Sequence, residues 1–259
     1  MLDSTQRFST RVENYIKYRP GYPAGILDLL REKCGLAGGS VLADIGSGTG
    51  MLTELFLRNG NRVFAVEPNR EMREAAERRL GQYPDLMSVS GTAETSALKD
   101  QSVDFITAGQ AFHWFDRQKS RKEFLRILQP GGWTVLIWNE RVMASPFARA
   151  YEHLLRTYGT DYEEVNHQHT DAKAIGPFFG ATDYMQADFP NRQVFDREGL
   201  KGRLLSSSYA PEPGHPRYAP MLEALNSLFS GYQTDGNVVF EYDTLVYYGR
   251  LSAWNYPGK

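Results

Sequence analysis

Val41-Leu42-Ala43-Asp44-Ile45-Gly46-Ser47-Gly48-Thr49-Gly50 reads as a short apolar strand carrying one acid, followed by a turn with glycine at every second position. A helical pattern takes over at residues 51–58. A strand entering such a turn points bare backbone N–H groups at a helix N-terminus, and glycine lets a ligand lie against that backbone. The segment therefore predicts a nucleotide-like cofactor site.

The spacing narrows the cofactor. A dinucleotide fingerprint runs G-x-G-x-x-G, whereas here the third glycine arrives one residue early and an acid, Asp44, precedes the first. A buried carboxylate beside the loop repels a pyrophosphate and attracts an ammonium group, which S-adenosylmethionine carries. Residues 61–66 read as a second, buried parallel strand ending in Glu67-Pro68-Asn69. An acid at that tip accepts from both hydroxyls of a ribose, so Glu67 serves NAD and S-adenosylmethionine alike; the glycine pattern and Asp44 separate them.

Taken together, Asp44 to Gly50 and Val66-Glu67-Pro68 resemble the nucleotide loop and ribose acid of class I S-adenosylmethionine-dependent methyltransferases. The resemblance extends in order along the chain. Gly91-Thr92-Ala93-Glu94, after an expected strand at 87–90, is similar to the adenine-contacting segment. Residues 102–108 resemble the fourth strand, with Gly109-Gln110-Ala111-Phe112-His113-Trp114-Phe115 at its tip, and Gln129-Pro130-Gly131-Gly132 before 133–138 resembles the turn and fifth strand. Tyr15 to Pro23, the Phe112 to Phe115 cluster and residues 204–211 look like the small-molecule branch related to trans-aconitate and ubiquinone/menaquinone-type methyltransferases. The resemblance implies a Rossmann-like three-layer α/β sandwich with a seven-stranded, mostly parallel sheet, and an N-terminal segment folded over the cofactor. It implies S-adenosylmethionine bound by Asp44, Gly46, Ser47, Gly48, Gly50, Glu67, Pro68, Ala93, Glu94 and Gln110, with S-adenosylhomocysteine as product.

Composition agrees with one globular α/β domain carrying a moderate insertion. The chain has 259 residues, 41% of them hydrophobic, a net charge of −2 and no basic run of the kind that follows nucleic acid. No apolar stretch reaches the roughly 20 residues of a membrane helix, and the N-terminus has no signal core, so a cytoplasmic protein without membrane or nucleic-acid partners is expected. The single cysteine, Cys34, falls in a helical pattern at 24–36 and reads as core filler. The expected organisation is a helical lead-in and lid at 1–37, a cofactor-binding core at 38–140, a helical insertion with one late strand at 141–235, and a closing strand at 236–259. Within the insertion, 143–158 reads as a helix opened by Ser145-Pro146, 159–182 as irregular with breakers at Gly176-Pro177, 183–194 as a strand, and 196–205 and 217–232 as helices.

Methyl transfer from a sulfonium is an in-line displacement that gains chiefly from alignment, so no protein nucleophile is required. His113, at the tip of the fourth strand, is the candidate general base for a protic acceptor; between Phe112 and Trp114 it serves equally as a wall of the pocket. No second acid accompanies Glu140 at the strand tips, and His167-Gln168-His169 reads as a solvated loop, so no metal site is expected. Tyr15, Tyr18, Arg19 and Tyr22 form a cluster able to close over the cofactor or receive an acidic substrate, or else to pack on the sheet; Trp114 and Arg203 join the expected substrate cover. Two other readings stay open: an NAD(P)-dependent oxidoreductase and a non-catalytic cofactor-binding protein of the same fold. The acceptor and the oligomeric state are not legible.

Overall fold

The apolar run at the head of the glycine turn becomes the middle of a sheet because both of its faces are covered. The structure, a computed structural model, describes residues 11–162, 172–180 and 184–251. In β1 (Val41–Ile45), Leu42 packs into one hydrophobic layer while Ala43 and Ile45 pack into the other. β1 pairs in parallel with β2 (Arg62–Val66) on one side and β4 (Val103–Gly109) on the other. β3 (Leu86–Val89) extends the sheet beyond β2, and β5 (Leu128–Arg141) beyond β4, again in parallel. The order is β3-β2-β1-β4-β5-β7-β6. β7 (Val238–Gly249) is antiparallel to both β5 and β6 (Tyr184–Phe195), which makes this mostly parallel sheet mixed at one edge. The strand order reverses between β1 and β4, and the crevice outside their carboxyl ends is where an open α/β sheet takes a ligand.

One face is covered by α2 (Gly25–Cys34), α3 (Met51–Arg58) and α4 (Arg70–Leu80), which bury Ile26, Leu30, Leu52, Phe56 and Leu80. The other face carries α5 (Arg117–Ile127), with Phe124 and Ile127 in the core. A third cluster joins α6 (Pro146–Tyr158) to the elements beyond β6, around Tyr151, Leu155, Leu200, Leu204, Leu225 and Phe240. Ser145 caps α6, its hydroxyl accepting from the Ala148 N–H at 3.0 Å.

The expected irregular stretch at 159–182 is corrected in part. A helix, α7 (Ala172–Phe179), runs through Gly176-Pro177 because Ile175, Phe178 and Phe179 are each at most 2% exposed in the core, and that burial outweighs a local breaker near the end of a short helix. His167-Gln168-His169 lies outside the described residues. β5 is also longer than expected, running through Pro130-Gly131-Gly132 at one end and to Arg141 at the other, where β7 continues to pair with it as far as Tyr242. The helix pair expected between the late strands is α8 (Arg197–Leu205) and α9 (Tyr218–Tyr232). Cys34 is partly buried and packs on the core; burial pushes its thiol up to about 12, which suits filler rather than a nucleophile.

α1 (Val12–Tyr18) packs on α8. Arg11 fixes this union: it donates to the carbonyls of Leu205 at 3.2 Å, Ser207 at 2.5 Å and Ala210 at 2.6 Å, and pairs with Glu212 at 2.7 Å. Just beyond, the Gly21 carbonyl accepts from Asn139 at 3.2 Å and Asn191 at 2.9 Å, which ties the lead-in to β5 and β6.

Candidate cofactor and substrate cavity

A cavity of about 320 Å³, within the range of small-molecule sites, opens at the carboxyl ends of the parallel strands beneath α1 and α8. Its floor is the glycine turn. The Gly46 and Ser47 N–H groups both donate to the Val66 carbonyl, at 2.9 and 3.2 Å, which locks the turn to the tip of β2. Gly48 has φ +56°, and the space its missing Cβ would fill is empty, so backbone faces open cavity there. Its N–H donates to Glu67 Oε2 at 2.8 Å, and the Asn69 N–H donates to Oε1 at 2.8 Å. The Glu67 carboxylate is thus aimed by two backbone donors, with lone pairs left for a ligand. Burial raises its pKa above the usual carboxylate value, against those two hydrogen bonds.

Asp44 lies under the same turn, 1% exposed. Its Oδ2 accepts from the Thr53 hydroxyl at 2.6 Å and its Oδ1 from Thr107 at 3.1 Å. Burial pushes its pKa up to about 6, although these hydroxyls favour the charged form. Sequence reasoning missed both threonines, which sit in α3 and β4 with no motif to mark them.

The other expected cofactor residues divide. Ser47, Pro68, Ala93, Glu94 and Gln110 line the cavity with Asp44, Gly46, Gly48 and Glu67. Glu94 also accepts from the Asp116 N–H at 2.8 Å. Gln110 adopts φ +53°, rare for a side chain with a Cβ, and its amide donates to the Asn139 carbonyl at 3.0 Å. Gly50 is not on the cavity. It caps α3 at φ +80°, and a Cβ there would stand 2.6 Å from Leu80, so this glycine serves helix packing.

His113 and Trp114 stand side by side on the cavity wall, ring centres 4.7 Å apart. From the cover, Tyr15, Arg19, Tyr22 and Arg203 reach the cavity. The Tyr22 hydroxyl sits where a Cβ on Gly109 would be, so that glycine makes room for the ring. Tyr18 lies outside: its ring covers Gly202 of α8 and stands 6.3 Å from Phe195, a packing role.

The wall formed with the cover also holds groups with no local sequence signal. Arg141 from β5, Tyr162 and Tyr242 line it beside Arg203 and Tyr209. Arg141 pairs with the buried Glu152 at 2.8 Å and stacks over Tyr151, 5.1 Å from its ring centre. Burial alone would raise the Tyr209 pKa, but Arg19, Arg203 and Arg141 more than offset it and hold the phenol below its usual value.

Residues 43–136 match the family model described as a methyltransferase domain. The chain is 29% identical over 201 residues to an uncharacterized methyltransferase of Schizosaccharomyces pombe, covering 77% of each chain. It is 37% identical over 139 residues to an uncharacterized methyltransferase of Mycobacterium bovis, covering 54% of each, so this match spans about half of either protein. Its fold is similar to that of a candidate type II methyltransferase from Anaeromyxobacter dehalogenans, with a TM-score of 0.66 at 19% identity, covering 90% of this chain and 98% of that one.

Proposed function

We propose that the chain is a class I methyltransferase that transfers a methyl group from S-adenosylmethionine to a small-molecule acceptor. The observation that carries this reading is the Glu67 carboxylate, oriented by the Gly48 and Asn69 N–H groups at the edge of the glycine turn, with Asp44 under the same turn. Glu67 takes the ribose hydroxyls. Gly48 leaves room for the methionine portion, Gly46 beside it makes room for Ala111, Asp44 favours the ligand's ammonium, and Ala93 and Glu94 flank the adenine. The size of the cavity and the lack of a Lys/Arg run in the sequence favour a small acceptor over a polymer.

In this reading the protein aligns and excludes. S-adenosylmethionine, when bound, would supply the methyl group: an acceptor lone pair would form the new bond as the carbon–sulfur bond breaks, its electrons remaining on sulfur in S-adenosylhomocysteine. Tyr22 and Tyr15 close the cavity from the lead-in and shield the sulfonium from water. If the attacking atom carries a proton, His113 on the cavity wall would receive it.

Isothermal calorimetry with S-adenosylhomocysteine and NAD tests the cofactor assignment. Saturable binding of the former is expected, together with a higher melting temperature by linkage. Binding of NAD in preference would overturn the proposal.

A further inference from the structure

The cavity wall formed with the cover carries three arginines. Arg19 follows α1, Arg141 ends β5 and Arg203 lies in α8, and all three line the cavity. Arg141 is matched by Glu152, which also accepts from the Tyr162 hydroxyl at 2.6 Å. Arg19 and Arg203 pair with no carboxylate among the described residues. Their partners are neutral: for Arg19 the Ser206 carbonyl at 3.1 Å and the Ser207 hydroxyl at 3.5 Å, and for Arg203 the same hydroxyl at 3.3 Å with the Tyr242 phenol close by. The Nε–H groups of Arg19, Arg141 and Arg203 are buried and meet no protein acceptor. Glu140 lines the same cavity.

Two guanidiniums sharing one serine repel each other, and Arg203 is only 6% exposed. Burial and the Arg203 charge together hold the Arg19 pKa below its usual value, whereas the phenols of Tyr242, Tyr151 and Tyr209 outweigh burial and hold that of Arg203 above it. Burying unmatched like charges works against folding, since desolvation is repaid only by a well-placed counter-charge. Hydrophobic neighbours would pack the same space at less cost. What this wall lacks is an anion, and the guanidinium forks present the donors to hold one.

We propose that the methyl acceptor is a small acid whose carboxylate or phosphate oxygens are held by Arg19 and Arg203, at the end of the cavity away from the glycine turn. This rests on the methyl-transfer reading above, deepening it to a substrate class. An acid anchored there spans toward His113 and Trp114, so its reacting atom is carried on the part of the molecule remote from the anion.

The test uses the full chain in two stages. Calorimetry first measures S-adenosylhomocysteine binding; its failure would overturn the methyl-transfer reading and this inference with it. Protein saturated with that product is then titrated with succinate and, separately, with inorganic phosphate, at constant ionic strength set by chloride, following melting temperature and tryptophan fluorescence. A saturable response to either anion is expected, and the one that responds distinguishes a carboxylate from a phosphate. In Arg203→Met the anion affinity should fall about tenfold or more, the scale of a lost charge-assisted contact, while Arg203→Lys retains part of it. If Arg203→Met does not bind S-adenosylhomocysteine, Arg19→Gln and the wild-type titrations decide. With the product bound, no response beyond chloride in the wild type, or an undiminished response in both arginine variants, would sink the proposal.

Discussion

Asp44 carries opposing demands: burial disfavours its charge, while Thr53, Thr107 and the proposed ammonium favour it. With a native pKa of about 6, above the 3.8 of a free side chain, the folded state binds this proton more tightly than the unfolded state. Asp44 therefore contributes stability that is lost as pH rises from about 4 to about 6, on the order of 2–3 kcal/mol at roughly 1.4 kcal/mol per unit. Glu67, also raised by burial, acts with the same sign. Urea unfolding of the wild type and Asp44→Asn across pH 4–7 should show the wild type losing more stability over that range, and parallel curves would rule the effect out. Ligand affinity runs the other way. S-adenosylhomocysteine should bind more tightly as pH rises from 5 to 7, with less change in Asp44→Asn, because its ammonium stays protonated throughout while the carboxylate gains charge. Glu67→Ala should weaken the same ligand by about 1.5–3 kcal/mol, the range for hydrogen bonds to a charged group; unchanged calorimetric affinity would remove Glu67 from the site. Residues such as Glu67 were legible because a strand tip has one place to point. Thr53, Arg141 and Tyr242 were not, because each gains its role from a neighbour distant in the chain.

At the scale of elements, α3 matched its helical pattern at residues 51–58, and Ser145-Pro146 opens α6 as its capping chemistry requires. Ser145→Ala should cost about 1 kcal/mol in chemical denaturation. α7 escaped sequence reading because its breakers are local whereas the burial of Phe178 and Phe179 is not. α8 offers a sharper test. Gly202 is a poor helix residue, and alanine there would gain about 1 kcal/mol from propensity alone. Its Cβ, however, would fall on the Tyr18 ring, and overpacking costs about 1–3 kcal/mol. The clash should win, so Gly202→Ala is expected to lower the melting temperature; a rise would mean that the α1 contact yields easily.

For the whole molecule, the N-terminal segment and the late helices behave as one cover. The breakers near Pro20-Gly21 and at Pro211 to Gly214 suggest that both segments can hinge relative to the sheet; Arg11 and Arg19 bind α1 to the 205–212 turn, and Gly21 is held by Asn139 and Asn191. Hydrogen exchange with and without S-adenosylhomocysteine should show protection rising together over 15–22 and 205–210. Equal protection in both states would make the segment permanent packing rather than a lid.

The class of fold and the glycine-turn half of the cavity follow from sequence alone, because an alternating sheet and its strand-tip residues are set by neighbours a few positions apart. Val41 to Gly50 already contains the strand, the turn and the start of α3. The arginine wall does not follow from any segment. Arg19, Arg141 and Arg203 are separated by more than a hundred residues from first to second and by the whole of α6 and β6 from second to third. Only the placement of β7 between β5 and β6, and the docking of α1 on α8, bring those three charges to one cavity. Tertiary packing therefore decides the arginine wall of the cavity, since the long-range repulsion it imposes on Arg19 and Arg203 has no counterpart in the local chain.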